Sequence, residues 1–215
     1  MKALMICVLV YIVAFFFAFI SCFFLLHLNQ WLVILIGHLI ATIVVFIASS
    51  IYKNSSFYDP FWSVAPIPIV LYVAFWPESN HLDYEKISLF LIPILFWGAR
   101  LTFNWARKWE GLNDEDFRYK DLKSSRFSKL IDLFAIHIYP TLQVNFSLFP
   151  VYFALSISIN EASFYLYLAS IFTFMAVILE MTADNQLLNF KKDRLNSEKF
   201  IQSGLWKYSR HPNYL

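Results

Sequence analysis

The chain has 215 residues, of which 59% are hydrophobic, 20% aromatic and only 15% charged, a composition outside the range of water-soluble globular domains. Its formal net charge is +2, and its basic residues alternate with acids, so it has no basic stripe and nucleic acid is not an expected partner. Gly37, Gly98, Gly111 and Gly204 are too far apart to form a dinucleotide or phosphate-binding loop, and Cys7 and Cys22 offer neither a disulfide framework nor a zinc spacing.

From Ala3 to Leu26 the sequence is apolar and uncharged, and as a helix it reaches roughly 36 Å, enough to cross a hydrocarbon core of about 30 Å. It is longer than a signal-peptide core and no small-residue cleavage site follows, so a retained span is expected. Five further spans are expected: Trp31 to Ile51, Phe61 to Trp76, Ile87 to Phe103, Ile131 to Ser158, and Ser163 to Met181. Pro66 and Pro68 mark the third as kinked or only partly buried. The expected fold is therefore an all-α, multi-pass transmembrane bundle of about six helices, forming one integral-membrane domain over residues 1–215.

Basic residues test this topology independently, because short loops rich in Lys and Arg stay cytoplasmic. With both termini on that side, fifteen of the seventeen Lys and Arg fall in cytoplasmic segments. They are Lys2, Lys53, the group from Arg107 to Lys129, and the group from Lys191 to Arg210. Lys86 lies on the opposite face. Arg100 falls inside the fourth span, where a charge requires a partner or a polar cavity.

Polar residues gather at the cytoplasmic ends of the spans. Tyr58-Asp59-Pro60-Phe61-Trp62-Ser63 opens the third, and read alone it is an aromatic belt with Asp59 as helix cap. Arg100, Asn104, Arg107 and Lys108 follow at i, i+4, i+7 and i+8, one helix face able to cradle phosphate oxygens or to anchor in anionic membrane lipid. Glu180, Asp184, Lys191 and Arg194 continue along one face beyond the last span. The sequence closes with Gly204-Leu205-Trp206-Lys207-Tyr208-Ser209-Arg210-His211-Pro212-Asn213-Tyr214-Leu215, a crowding of polar groups beside a membrane that points to a bound polar ligand. Within the fifth span His137, Gln143 and Asn145 are expected to pair between helices. HExxH and paired-histidine patterns are absent from the sequence, so no metal is expected.

Three of these segments together resemble a known group. YDPFWSVAP, NWARKWEGL with the following EDFRY, and GLWKYSRHPNYL resemble the DUF1295 branch of the steroid 5-alpha-reductase-like membrane proteins, from about residue 57 to the end. Residues 1–56 match only in apolarity. The resemblance implies an enzyme that uses NADPH to reduce a carbon-carbon double bond conjugated to a carbonyl in a steroid-like or other lipid-soluble substrate. It places the cofactor on Asp184, Lys191 and Asn213, with Tyr208, Arg210 and His211 as motif members, while Arg100, Asn104 and Arg107 are phosphate candidates from helix spacing. Asp59 is the nearest match to the acid that polarises the enone. The position matched to its tyrosine partner is Trp97, so Tyr58 is the substitute candidate.

Relatives in that group continue past this motif, which implies a shortened site in a chain ending at Leu215. Two alternatives belong to other classes. An S-adenosylmethionine-dependent membrane methyltransferase shares a similar RHPxY motif, and a non-catalytic lipid-binding bundle needs no cofactor at all. Substrate identity, oligomeric state and the particular membrane are not encoded in any recognisable motif.

Overall fold

The computed structural model describes residues 2–76, 83–157, 162–193, 196 and 199–214. Helix α1 spans Lys2–Phe24 and α2 spans Gln30–Tyr52, forming a hairpin whose turn is set by Asn29, which accepts a hydrogen bond from the Trp31 amide at 2.9 Å. Cys7, Tyr11 and Ala14 are the buried stripe of α1, at i, i+4 and i+7, while Val8, Leu9, Ile12, Phe16 and Phe19 face outward. Exposed Phe and Leu on that scale mark a surface solvated by lipid. Helix α2 is buried on a far wider face, from Gln30 through Ser49, because it sits between α1 and a later segment. It ends at Lys53, whose left-handed backbone (φ 54°) turns the chain.

The expected third span is a 3₁₀ turn, Ser55–Phe57, followed by α3 (Phe61–Val64) and α4 (Pro66–Ala74). Pro66 occupies the first position of α4, where its missing N–H costs nothing. Asp59 does not cap α3, contrary to the simple reading of its position. The residue before α3 is Pro60, with no side-chain cap, and Asn54 caps the preceding turn instead. Phe57, Tyr58 and Phe61 are the aromatic centre of a core that includes Tyr11, Ala41 and Val45. The Tyr11 hydroxyl donates to the Phe57 carbonyl at 2.6 Å and ties α1 to this turn.

Helix α5 runs from Tyr84 to Lys108, capped by Asp83, and so carries Arg100 through Lys108 on one continuous helix as expected. It crosses α3 closely at Gly98. A side-chain carbon there would lie 2.5 Å from the Ser63 carbonyl oxygen, so only glycine permits the approach. Short helices α6 (Phe117–Leu122) and α7 (Ser128–Ile131) follow on the connecting segment.

The segment expected as the fifth span is built differently from the others. After α7 come a π-helical stretch, Asp132–Ile138, then α8 (Tyr139–Ser147), α9 (Phe149–Tyr152) and a second π stretch, Phe153–Ile157. Pro140 and Pro150 each stand near the start of a new piece. Helix α10 is a single rod, Phe164–Lys192, so Glu180, Asp184 and Lys191 share one helix. Arg194 lies outside the described residues. Among the described residues, five segments are long and apolar enough to cross a membrane: 2–24, 30–52, 55–74, 84–108 and 164–192. The chain is an all-α, multi-pass helical bundle.

Gly98→Ala should therefore force α5 off α3 or distort Ser63, at about 1–3 kcal/mol. A lowered thermal midpoint of the detergent-purified chain, against an unchanged helical circular-dichroism spectrum, is the expected result.

Candidate functional site

Helices α5 and α10 meet at a charge. Arg100 is 8% exposed, and a guanidinium cannot shed its proton to become tolerable in an apolar setting, so carboxylates must meet it. Its Nη1 donates to Asp184 Oδ2 at 2.9 Å, and its Nη2 forms an ion pair with Glu180 Oε1. Glu180 and Asp184 are four residues apart on α10, one turn, which is why one arginine reaches both. The cluster thus holds two carboxylates against one cation. Asp184 Oδ1 then accepts from Asn213 Nδ2 at 3.1 Å, bringing the closing motif onto α10. The same docking is reinforced by Gln186 Oε1 accepting from the Leu205 amide at 2.9 Å and by the Trp206 indole N–H donating to the Ala183 carbonyl at 2.9 Å. Gly204 has φ +61°, and a side-chain carbon there would strike Gln186.

Two cavities follow each other along α10. One, about 380 Å³, is walled by Pro93, Ile94, Trp97 and Val177, with Glu180 and Asn213 at its polar end. Asn213 Oδ1 is buried and has no partner, an acceptor left over in the wall. The second is a cleft of about 1100 Å³ with Phe190 and Trp206 as its apolar floor and Lys191, Lys199, Arg210 and His211 around it. An apolar slot thus gives way to a cationic cleft, with Asp184 and Asn213 between them.

Of the residues singled out in the sequence, Asp184 joins Arg100 to Asn213, and Lys191, Arg210 and His211 line the adjoining cleft. The others lie elsewhere. Arg107 is exposed and its guanidinium rests over the Phe103 ring of its own helix, 5.5 Å from the centroid, while Asn104 is half-buried outside both linings. Tyr208 is 84% exposed. Shared helical face did not bring the whole row together: two turns beyond Arg100, Arg107 turns back over its own helix although α10 continues to Lys192.

Tyr58 and Asp59 are likewise engaged outside these cavities. The Tyr58 hydroxyl shares a 2.7 Å hydrogen bond with Thr141, and its ring packs on His137 and Phe61. Asp59 accepts from the Tyr119 hydroxyl at 2.5 Å and so tethers the segment around α6 to the start of α3. Burial, and then the neighbouring Asp59 carboxylate, push the Tyr119 phenol well above its ordinary range. Beside it, hydrogen bonds from Arg118 hold Asp116 below the usual carboxylate range. Neither Tyr58 nor Asp59 lines the α5–α10 cavities. Trp97 does line the apolar slot, edge-on to Trp62.

A second polar system joins α2 to the broken segment. His137 Nδ1 donates to the Asp132 carbonyl at 2.8 Å, which leaves Nε2 to accept from the Ser49 hydroxyl at 3.1 Å. Asp132 also accepts from Ser55, which in turn receives Lys123. Serine, imidazole and carboxylate stand in the order of a nucleophile, base and orienting acid. Yet Ser49 is 1% exposed and His137 fully buried, and neither lines a described cavity, so this is an inter-helix tie. Thr42 meets Thr141 at 2.7 Å and His38 meets Asn145 on the same seam. Gln143, by contrast, faces outward.

The fold and this site define a multi-pass helical membrane protein with a buried cation–carboxylate cluster between an apolar slot and a basic cleft. The chain belongs to the family described as protein of unknown function DUF1295, which it matches over residues 45–215. That match begins inside α2, ahead of the first shared motif. An uncharacterized protein of Schizosaccharomyces pombe is 30% identical over 189 residues, covering 76% of this chain and 54% of the relative. The chain thus spans about half the length of the curated relative it matches. No solved structure shows significant similarity to it.

Replacing Arg100 with Leu should leave Glu180 and Asp184 facing one another uncompensated. Breaking a fully buried pair costs about 3–5 kcal/mol, and the quarter exposure of both carboxylates brings the expected loss down to about 2 kcal/mol. Adding Glu180→Gln to that variant should recover part of the loss, read as thermal midpoints in a double-mutant cycle.

Proposed function

We propose that the protein is part of an NADPH-dependent membrane reductase acting on a carbon-carbon double bond conjugated to a carbonyl in a lipid-soluble substrate. The observation that carries this reading is the Arg100–Asp184–Asn213 cluster at the junction of an apolar slot and a cationic cleft. A dinucleotide with a phosphate-rich end and a flat, weakly polar ring has that same polarity along its length. Lys191, Lys199 and Arg210 suit the phosphates, and a third phosphate favours the phosphorylated cofactor over its plain form. Asn213 Oδ1, buried without a partner, suits the N–H of a carboxamide. The cofactor's chemistry there is the delivery of a hydride to the alkene carbon remote from the carbonyl.

The chain's own residues hold and shield. Pro93, Ile94, Trp97 and Val177 give the slot an apolar wall, the setting in which a reactive hydride is best kept from water. Arg100 fixes the orientation of Asp184, which in turn fixes Asn213, so the carboxamide contact is preorganised two residues deep.

A methyltransferase reading draws on one observation, the excess negative charge of Glu180 and Asp184 over Arg100, which suits a sulfonium. Titration of the detergent-purified chain with NADPH and, in parallel, with S-adenosylmethionine separates the two. Saturable NADPH binding is expected, weakened about ten-fold by Asn213→Ala or Lys191→Ala, on the order of 1.4 kcal/mol. Binding of S-adenosylmethionine alone would replace the reductase reading, and binding of neither would leave a lipid-binding bundle.

A further inference from the structure

A third cavity lies on the other side of α4, between α1, α2 and α4, and shares no lining residue with the slot or the cleft. It holds about 200 Å³ and is walled by Phe15, Ala18, Ile34, Ala41, Ala65 and Ile69. Phe19, 64% exposed on the outer face of α1, forms part of its rim, so the cavity opens toward the lipid-facing surface of the bundle. Apolar cavities of this size stay dry and accept small hydrophobic molecules: one of about 150 Å³ holds a benzene ring.

One polar group in that wall lacks a partner. Cys22 donates to the Val33 carbonyl at 3.6 Å, whereas the ring of His38, 4% exposed, is bonded only through Nδ1, and its Nε2 is buried without a hydrogen bond. The tautomer follows from its neighbour. Asn145 Nδ2 donates to the Thr141 carbonyl at 3.3 Å and also faces His38 Nδ1 at 2.5 Å, with Asn145 Oδ1 buried and unpaired behind it. An amide nitrogen only donates, so Nδ1 accepts and the ring proton resides on Nε2. An N–H left unpaired at the edge of a dry cavity is unfavourable by itself, and a ligand acceptor resolves it.

We propose that this cavity is a binding site for a small apolar molecule drawn from the bilayer and bearing one hydrogen-bond acceptor, a ketone or ether oxygen, held by His38 Nε2–H. The site is separate from the α5–α10 cavities and does not depend on the reductase reading. Its ligand neither contacts Asn213 nor requires a nucleotide.

The test uses the whole detergent-purified chain with 2-decanone and decane, which match in shape and differ in the single acceptor. The ketone should bind about five-fold more tightly than the alkane, read from ligand-dependent thermal midpoints at equal mole fraction in the micelle. Its isotopically labelled carbonyl stretch should also move to lower frequency when bound. His38→Phe should abolish the ketone's advantage, His38→Gln, which keeps an N–H donor, should restore part of it, and Ala18→Leu at the half-buried wall should weaken both ligands. Equal binding of ketone and alkane, binding of neither, or a ketone preference that survives His38→Phe would each overturn the proposal. The first comparison uses the unaltered chain, so a variant that fails to fold does not spare the idea.

Discussion

A guanidinium that cannot be neutralised, placed between two apolar helices, dictates much of this structure. Arg100 can sit at the α5–α10 contact only if acids come to it, and α10 supplies two of them one turn apart. Asp184 has a second oxygen, and that oxygen is what Asn213 reaches. The closing segment would otherwise be a loop with little apolar area to bury. It owes its place to a chain of directed polar contacts, supported by Gln186 and Trp206 on the same helix. The electrostatics of the span thus decide where a recognition surface can form.

On the far side of the bundle the same solvent argument produces a different solution. Lipid is as apolar as leucine, so packing helices gains little from burial alone, and direction must come from close contact and hydrogen bonds. Along α2 the partners run antiparallel to the broken segment: His38 with Asn145, Thr42 with Thr141, Ser49 with His137. Each bond is worth about 0.6 kcal/mol by the usual measure in membranes. Their collective effect is on register, since a slip of one residue would unpair all of them.

Much of this was legible from residue types. Arg100 inside a span demanded a counter-ion, and the i, i+4 spacing of Glu180 and Asp184 already placed two acids on one face. The shared helix of Asp184 and Lys191 followed from the absence of any breaker between them. What could not be read was depth. Arg107 shares a helical face with Arg100 yet folds back over Phe103 of its own helix, and no periodicity reveals which side chain of a row a neighbouring helix will engage. Tyr58 and Asp59 looked poised for chemistry because they are polar in an apolar neighbourhood, but their partners, Thr141 and Tyr119, are far along the chain. His38 and Thr42 carried no signal at all. A single polar residue in an apolar helix acquires meaning only once its partner, about a hundred positions away, is in place.

The π stretch at Asp132–Ile138 sets the phase of everything after it. A π turn accommodates one residue more than an α turn, so the extra residue is absorbed locally and the helix beyond it keeps its phase. If the same residues closed to ordinary geometry, the remainder would turn by about 100° and Thr141 and Asn145 would point away from α2. Among related chains, one that lacks a single residue in this stretch should therefore show a plain α-helix there with the α2 seam still paired, a spare residue held in a widened turn.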